Sequence, residues 1–473
     1  MQRCSRSLVQ AICFSCLVPF AAGYALARQT VVTGAVGTSY DYRDRTYDQK
    51  NIDDDDEGDV QKISIGPTIE VVSTGVYNTL NLRYSPKLAY DFVDDDNEVD
   101  QLLNASSEHR LTKDWSLTLL EDFIYSDDPD SMSASSEKSA ANGSSGVLSR
   151  DISGRQYWTN TAGVRTSYAL MQDTRIDGGY KYSVLRNEQG GNTGNNEYDE
   201  YDRHTLFTDL THRFTPHWQS NLGMNYTRGL YNDEATSGPA STTSPDLDEY
   251  GANIGIDYLH SVRDSFPVKY SVSATQYDGE TRRDSEAHEW SAGWEHAFDP
   301  RMKISLGGGP SYAKTQGLDG QWGYNAYFSF MKQYEHAFCS LQFDKRYEFE
   351  NFSGTDESGL QDTYNARANF TYQHTQALSF DVFGRYSWQS QLDPQGDYRA
   401  AANGSLDEQK TGDLSYDKDV YQAGLGMKYT FSQWYTAGVK YVYYVSDGEL
   451  DSDQYTDHQV LFTLSASKEL WRW

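Results

Sequence analysis

The chain is poor in the residues that staple, break or bury other folds. It has four cysteines in 473 residues. Three of them, Cys4, Cys13 and Cys16, fall in a short N-terminal segment, which leaves Cys339 alone. One cysteine makes neither an internal disulfide nor a four-ligand metal site. Prolines number only 11. Leu8 to Ala22 is the one sustained apolar run, so a bundle of membrane helices, each needing about 20 apolar residues, is excluded. Bases are outnumbered by acids, 40 to 69, for a formal charge of −29. That balance excludes nucleic acid as a partner, because phosphate recognition needs a basic surface.

What is abundant is aromatic. Tyr (37), Phe (19) and Trp (10) make up 14% of the chain, which argues against disorder. The excess of Tyr over Phe suits rings that need one polar end. Arg3 and Arg6, the Leu8–Ala22 run and Ala25-Leu26-Ala27 before Arg28 together have the form of a signal peptide over 1–27. Residues 28–473 then form one domain, since no second composition regime appears.

Two-residue alternation runs through nearly the whole mature chain, and helical spacing is almost absent. Trp218, Ser220, Leu222, Met224 and Tyr226 interleave with Gln219, Asn221, Gly223, Asn225 and Thr227. Tyr421, Ala423, Leu425, Met427 and Tyr429 interleave with Gln422, Gly424, Gly426 and Lys428. Each such strand has one apolar and one polar face. Short connections (Thr112–Asp114, Gln172-Asp173, Thr215–His217, Asp299–Arg301, Thr375–Ala377, Phe431–Gln433) alternate with long ones (44–59, 126–156, 187–202, 232–248, 348–362, 389–419, 446–457). A sandwich has no reason for that asymmetry, whereas a transmembrane barrel has short periplasmic turns and long outer loops. The expectation is an all-β, antiparallel up-and-down transmembrane β-barrel of about 18–20 strands. It starts near Val31 and ends near Ser467, with 99–111 and the turn near Lys332 the weakest signals.

Trp115, Trp218 and Trp434 restart strands after short turns, and Tyr125, Tyr231, Tyr277, Tyr312, Trp388 and Tyr444 lie near the long loops. Two belts of amphipathic rings fit two membrane interfaces. The terminal Trp473, with Trp471 before it, resembles the insertion signal of bacterial outer-membrane barrels. Val460, Phe462, Leu464 and Ala466 are on the opposite parity, which a bulge between Ala466 and Leu470 would reconcile. Across the mature chain, hairpins such as Phe298-Asp299-Pro300-Arg301-Met302-Lys303 and Asp114-Trp115-Ser116-Leu117, the acidic loops and Trp473 give a chain that resembles bacterial outer-membrane porin-like barrels. The nearest named group is the beta-barrel porin 2 family. That resemblance implies a Gram-negative outer membrane, and members of the group are often associated with exopolysaccharide systems.

The sequence carries no Gly-x-Ser-x-Gly, no His-Glu-x-x-His and no Gly-rich phosphate loop, so neither a catalytic centre nor a cofactor is expected. Seven of the ten histidines (His109, His212, His217, His260, His296, His336, His374) fall at short turns and read as rim residues. His204, His288 and His458 belong to the opposite rim, and Cys339 shares the parity of Leu341 and Phe343. Polar-parity charges give pore-lining candidates: Arg83, Arg175, Lys181, Asp209, Asp257, Lys269, Glu295, Asp344, Arg367, Arg385, Lys428 and Lys440. Asp53, Asp54, Asp55, Asp56, Asp447, Glu449, Asp451 and Asp453 are weak divalent-cation candidates, since hard cations take carboxylate oxygens but the spacing matches no complete loop motif. Asp94-Asp95-Asp96 is another dense acidic run, expected in a loop. The reading is a solute channel. The alternatives are an exopolysaccharide export channel and a non-conducting structural or adhesion barrel. Expected partners are outer-membrane lipid and lipopolysaccharide, the barrel-assembly machinery and, for export, polysaccharide-export components.

Overall fold

A computed structural model describes residues 29–47, 59–93, 95–128, 156–187, 199–231, 245–278, 282–352, 359–392, 417–448 and 454–473. These residues form twenty strands and no helix. The first ten are β1 (Gln29–Tyr47), β2 (Val60–Thr74), β3 (Asn78–Asp91), β4 (Asp96–Arg110), β5 (Trp115–Ser126), β6 (Tyr157–Met171), β7 (Thr174–Asn187), β8 (Tyr201–Thr215), β9 (Trp218–Tyr231) and β10 (Leu247–Leu259). The others are β11 (Asp264–Tyr277), β12 (Ser285–Asp299), β13 (Met302–Thr315), β14 (Gln321–Gln333), β15 (Ala337–Glu350), β16 (Gly359–Gln373), β17 (Leu378–Gln391), β18 (Asp417–Thr430), β19 (Tyr435–Gly448) and β20 (Tyr455–Arg472).

Every strand pairs antiparallel with its sequence neighbours, and β1 pairs with β20, so the sheet closes into a barrel. Closure leaves no edge along most of the wall, which is what allows strands to sit in lipid with their backbone groups satisfied. The signal segment 1–27 lies outside the described residues.

The two faces are identified by what packs across the barrel. Asn351 and Phe352, which follow β15, meet Tyr201, Tyr231, Leu247, Glu249 and Tyr277 of β8 to β11. That contact runs only through the lumen, so the odd residues of those strands point inward. The even ones point outward and include exposed Leu206, Leu222, Met224, Ile254, Ile256 and Val268. Outward rings gather at both ends of the strands. Trp218 and Tyr258 are 4.8 Å apart near the short turns, and Tyr226–Tyr250, Tyr270–Trp290 and Tyr386–Tyr421 are 5.3, 5.3 and 4.9 Å apart near the long connections. His204, His288 and His458 sit in this upper belt, with Nδ1 2.6 to 2.8 Å from the hydroxyls of Tyr180, Tyr270 and Tyr441. Glu121 is one departure from an apolar outer face: it shares the outward parity of Trp115 and Tyr125 but is only 8% exposed.

β20 contains the irregularity expected near its end. Val32 pairs with Trp471 and Thr33 with Glu469, which leaves Leu470 as the extra residue. The bulge swaps parity, so Trp471 comes to lie outward beside Val32. Leu470 folds over Gly34, where a Cβ would stand 2.7 Å from its Cδ1.

Two expectations about connections need correction. Asp95 belongs to a tight turn between β3 and β4 and Asp96 opens β4 opposite Asp91, neither in a long loop, while Asp94 lies outside the described residues. Asp91 Oδ1 accepts from the Val93 amide at 2.8 Å, Asp96 Oδ1 accepts from the Asn97 amide at 2.7 Å, and Asp95 has φ 53°. Acids here serve the turn backbone, a role that composition alone reads as solvation. The β13–β14 connection, 316–320, is also short and turns at Gly317 with φ 82°. The long side of the barrel is therefore mixed.

Prolines mark the breaks in the ladder, since they lack the N–H it needs. The β2–β3 pairing skips from Ile65↔Leu88 to Ile69↔Tyr84 around Pro67 and Pro86. The β12–β13 pairing skips from Glu289↔Ser311 to Ala292↔Gly308 at Pro310. There the Asn325 side chain donates to the Trp290 carbonyl at 2.9 Å and takes the place of the missing partner.

Candidate functional site

All twelve pore-lining candidates lie on inward parity. Arg83 pairs with Asn104 and Glu70, Lys181 with Gly163, Asp209 with Asp177, and Asp257 with Pro267. Lys269 is opposite Gly255 and Ser291, Glu295 opposite Ser305, and Asp344 opposite Asn365. Arg175 and Arg165 both reach Asp177, at 2.9 and 3.5 Å, and Lys303 reaches Glu295 at 3.0 Å. Arg367, Arg385, Lys428 and Lys440 lie on four consecutive strands, β16 to β19. Arg367 is directly opposite Arg385, and Lys440 Nζ lies 4.9 Å above the Phe383 ring. The inner wall thus divides into an arc on β16–β19 where four bases face one inward carboxylate, Asp381, and, across the lumen on β7–β12, carboxylates interleaved with bases.

At the upper end, Lys62 collects carboxylates: Asp127 at 2.6 Å, Glu98 at 2.8 Å and Asp91 at 3.9 Å. Burial disfavours ionisation of Asp127, which follows β5, but the Lys62 ammonium outweighs it and holds that carboxyl below the usual carboxylate range. The contact therefore tethers the start of the β5–β6 connection above the unfolded carboxylate range, and the tether is lost as pH falls through the depressed value.

The largest departure from a plain tube is the β15–β16 hairpin. Its sequence reads as an outer loop over 348–362, but its described parts fold into the barrel. Tyr347, Phe349 and Leu360 cluster with the inward residues Ala287 and Ala313. The Tyr347 amide donates to Glu289 Oε1 on β12 at 3.1 Å. Further along, Asn351 is 2% exposed and held from four sides. Its Nδ2 donates to Glu249 Oε1 at 2.7 Å and to Thr275 Oγ1 at 3.3 Å. Its Oδ1 accepts from the Tyr277 hydroxyl at 2.6 Å, and its carbonyl accepts from the Tyr231 hydroxyl. Phe352 stacks on Tyr231 and meets Tyr201 edge-on, with the Arg203 guanidinium 4.2 Å over its ring. Gly229 leaves the room, since a Cβ there would come within 2.9 Å of the Phe352 ring. Burying one phenyl ring contributes about 1.5–3 kcal/mol, so this is a docked constriction.

Sequence reading missed Asn351, Phe352, Glu249 and Arg203, and it placed Tyr231, Tyr277 and Tyr444 in an outer aromatic belt, whereas all three point into the lumen, Tyr231 and Tyr277 onto Asn351 and Tyr444 onto Tyr455. The available signal was Phe349, Phe352 and Leu360, an apolar group inside a segment otherwise read as a solvated loop.

Of the divalent-cation candidates, Asp53, Asp54, Asp55, Asp56, Glu449, Asp451 and Asp453 lie outside the described residues, and Asp447 is at the upper end of β19. Among the described residues no cluster of three or more His, Cys, Asp or Glu could hold a metal ion.

No protein-family model matches the chain, and no curated protein matches it in sequence. Solved structures do resemble it. Pseudomonas aeruginosa OpdQ aligns over 93% of this chain and 98% of its own at 11% identity, with a TM-score of 0.41. Acinetobacter baumannii OccAB3 aligns over 93% and 99% at 10% identity, with a TM-score of 0.44. A mutant of the Pseudomonas aeruginosa ferric enterobactin receptor PfeA aligns over 93% and 80% at 10% identity, with a TM-score of 0.49. Likeness at this level carries no functional argument, and the assignment of the chain as a closed 20-stranded antiparallel β-barrel rests on its own strand pairing.

Proposed function

We propose that this chain is a porin-like channel of a Gram-negative outer membrane, exported by its signal peptide, that passes small polar solutes through a lumen narrowed by the β15–β16 hairpin. One observation carries the reading: a closed 20-stranded barrel has an apolar, aromatic-belted outer face and an inner face lined by charges of both signs. Barrels of 16–18 strands already leave an aqueous channel, so this lumen has room for water around the hairpin. The hairpins, acidic loops and terminal Trp473 that resemble the beta-barrel porin 2 group suit this use, although no family model matches the chain.

A membrane barrel of this kind is expected to be β-rich by circular dichroism in detergent and to migrate differently on gels before and after boiling. A mainly helical spectrum, or full solubility of the signal-cleaved chain without detergent, would remove the membrane reading.

The functional test is reversal potential across a KCl gradient in a planar bilayer, at low and high salt. Acids dominate the chain, and those at the outer mouth raise local cation concentration, so a modest cation preference is expected at low salt. It should fade as the Debye length shrinks toward about 3 Å at 1 M salt. Arg367→Gln with Arg385→Gln should strengthen the preference by thinning the basic arc. Clear anion selectivity at low salt would move the assignment to export of an anionic polymer. Absence of conductance from folded protein, with the hairpin released as well, would make the barrel structural.

A further inference from the structure

The wall is not continuous where the hairpin turns inward. Pairing between β14 and β15 runs from Gln333↔Phe338 up to Ala326↔Lys345 and stops there. Above that point β14 still pairs with β13, through Gln321↔Ala313, and β15 still pairs with β16, through Glu350↔Gly359. Residues 321–325 of β14 therefore have no ladder with β15, whose upper part has moved inside, its Tyr347 amide taken by Glu289. Non-helical backbone that leaves its ladder at membrane depth persists only where protein buries it or where it lines a cavity.

Side chains close this seam. The Tyr324 and Tyr364 hydroxyls meet at 3.2 Å, joining β14 to β16 across the displaced β15. Behind them lies Lys345, 2% exposed. Its Nζ is 4.7, 4.8 and 5.4 Å from the ring centroids of Tyr324, Tyr347 and Tyr364, and 2.8 Å from Asp362 Oδ1. The seam is at the height of the upper aromatic belt, since Tyr364 packs 5.0 Å from Trp388 and Trp322 lies two residues above Tyr324. Lipid is outside. Inside is the apolar cluster of Tyr347, Phe349 and Leu360 against Ala287 and Ala313, with the Glu289 carboxylate beside it on the Tyr347 amide.

We propose that this seam is a lateral portal through which a single-chain amphiphile with an anionic head passes between the lumen and the outer leaflet. Opening the seam uncovers the buried Tyr347, Phe349 and Leu360 cluster for the tail, and the head displaces Asp362 from the Lys345 ammonium at the level where lipid headgroups sit. A charge placed in the wall at membrane depth is costly and has a use when a pathway runs past it. The closure is a few rings and one ion pair, so a single chain opens it without breaking the barrel. This inference rests on the reading that the barrel spans the outer membrane, but it does not depend on ion conductance.

The test uses the full mature chain, folded into phosphatidylcholine vesicles, with Cys339→Ser, Tyr324→Cys and Tyr364→Cys. A reducible bis-maleimide joins the two new cysteines and locks the seam. A dodecanoic acid with a diazirine near its tail end is then photolysed, and labelled peptides are mapped by mass spectrometry. The portal predicts label on the 347–349 and 360 peptides in the unlocked protein, a several-fold loss on locking, and recovery on reduction. Label on the outward surface at Ile254 and Trp290 stays constant throughout. A quaternary-ammonium amphiphile of the same length should label the inner peptides several-fold less.

Unlabelled inner peptides in the unlocked protein, labelling unchanged by the lock, or equal labelling by the cationic probe overturns the proposal. If the double-cysteine chain does not fold, Tyr324→Phe in the otherwise unaltered protein removes only the hydroxyl contact. Inner labelling must then exceed that of the wild type, and no increase overturns the portal. KCl conductance measured on the same preparations is an independent readout: a silent but laterally labelled barrel would remove the channel reading and leave the portal standing.

Discussion

Leu222→Arg is expected to cost about 2–4 kcal/mol of folding free energy in lipid vesicles, whereas Asn221→Arg, one residue away, should stay within about 0.5 kcal/mol. Leu222 lies in an outward row with Leu210 and Ile254, midway between Trp218 and Tyr226, so an arginine there sits in hydrocarbon. Asn221 is on the inner face against Gly255, where a longer polar chain extends into water. Denaturant titrations of both variants, folded into the same vesicles, measure the difference. Equal tolerance would mean that the two faces are exchanged, because a one-residue slip moves every side chain to the other side of the sheet.

The same alternation explains how much of the fold is legible in the sequence. Period-two patterning names the residues that share a face, and wherever one face meets lipid the pattern is strict, as in Trp218 to Tyr226. That is enough to bring the count to about 18–20 strands, the weakly alternating β4 among them, and to put Arg83, Lys181, Asp257 and Lys440 on one side. The Leu470 bulge is legible for the same reason, as a clash between two runs of opposite parity. Alternation does not report when a strand leaves the wall. β15 keeps its parity from Leu341 to Phe349, but beyond Lys345 its odd face no longer meets lipid and instead packs on Ala287 and Ala313. Nothing local distinguishes the two environments, since both are apolar. The acidic turn at Asp95 and Asp96 fails for a different reason: aspartate solvates loops and also bonds to turn amides, and only the backbone geometry separates the two uses.

Asn351→Leu is expected to release the constriction and raise single-channel conductance, with added open-state noise as the hairpin moves in and out. The Asn351 side chain makes three of the bonds that dock the hairpin, and one of them is the donor to Glu249. Leucine fills a similar space but leaves that buried carboxylate without this donor, which costs about 1–3 kcal/mol. Each 1.4 kcal/mol shifts the docked-to-undocked ratio about tenfold, so the undocked state becomes readily visible in a conductance trace. Phe352→Ala acts on the other half of the dock by removing the ring between Tyr201 and Tyr231 and freeing the space over Gly229. It should produce the same larger conductance while leaving Glu249 paired. Neither substitution touches the strands that carry the barrel, so circular dichroism and heat-modifiability should stay as in the wild type. Recordings from both variants that match the wild type in amplitude and noise would show that the hairpin lies beside the conduction path without narrowing it, and the constriction would have to be sought lower down, between the Arg367–Arg385 arc and the carboxylates of β7–β12.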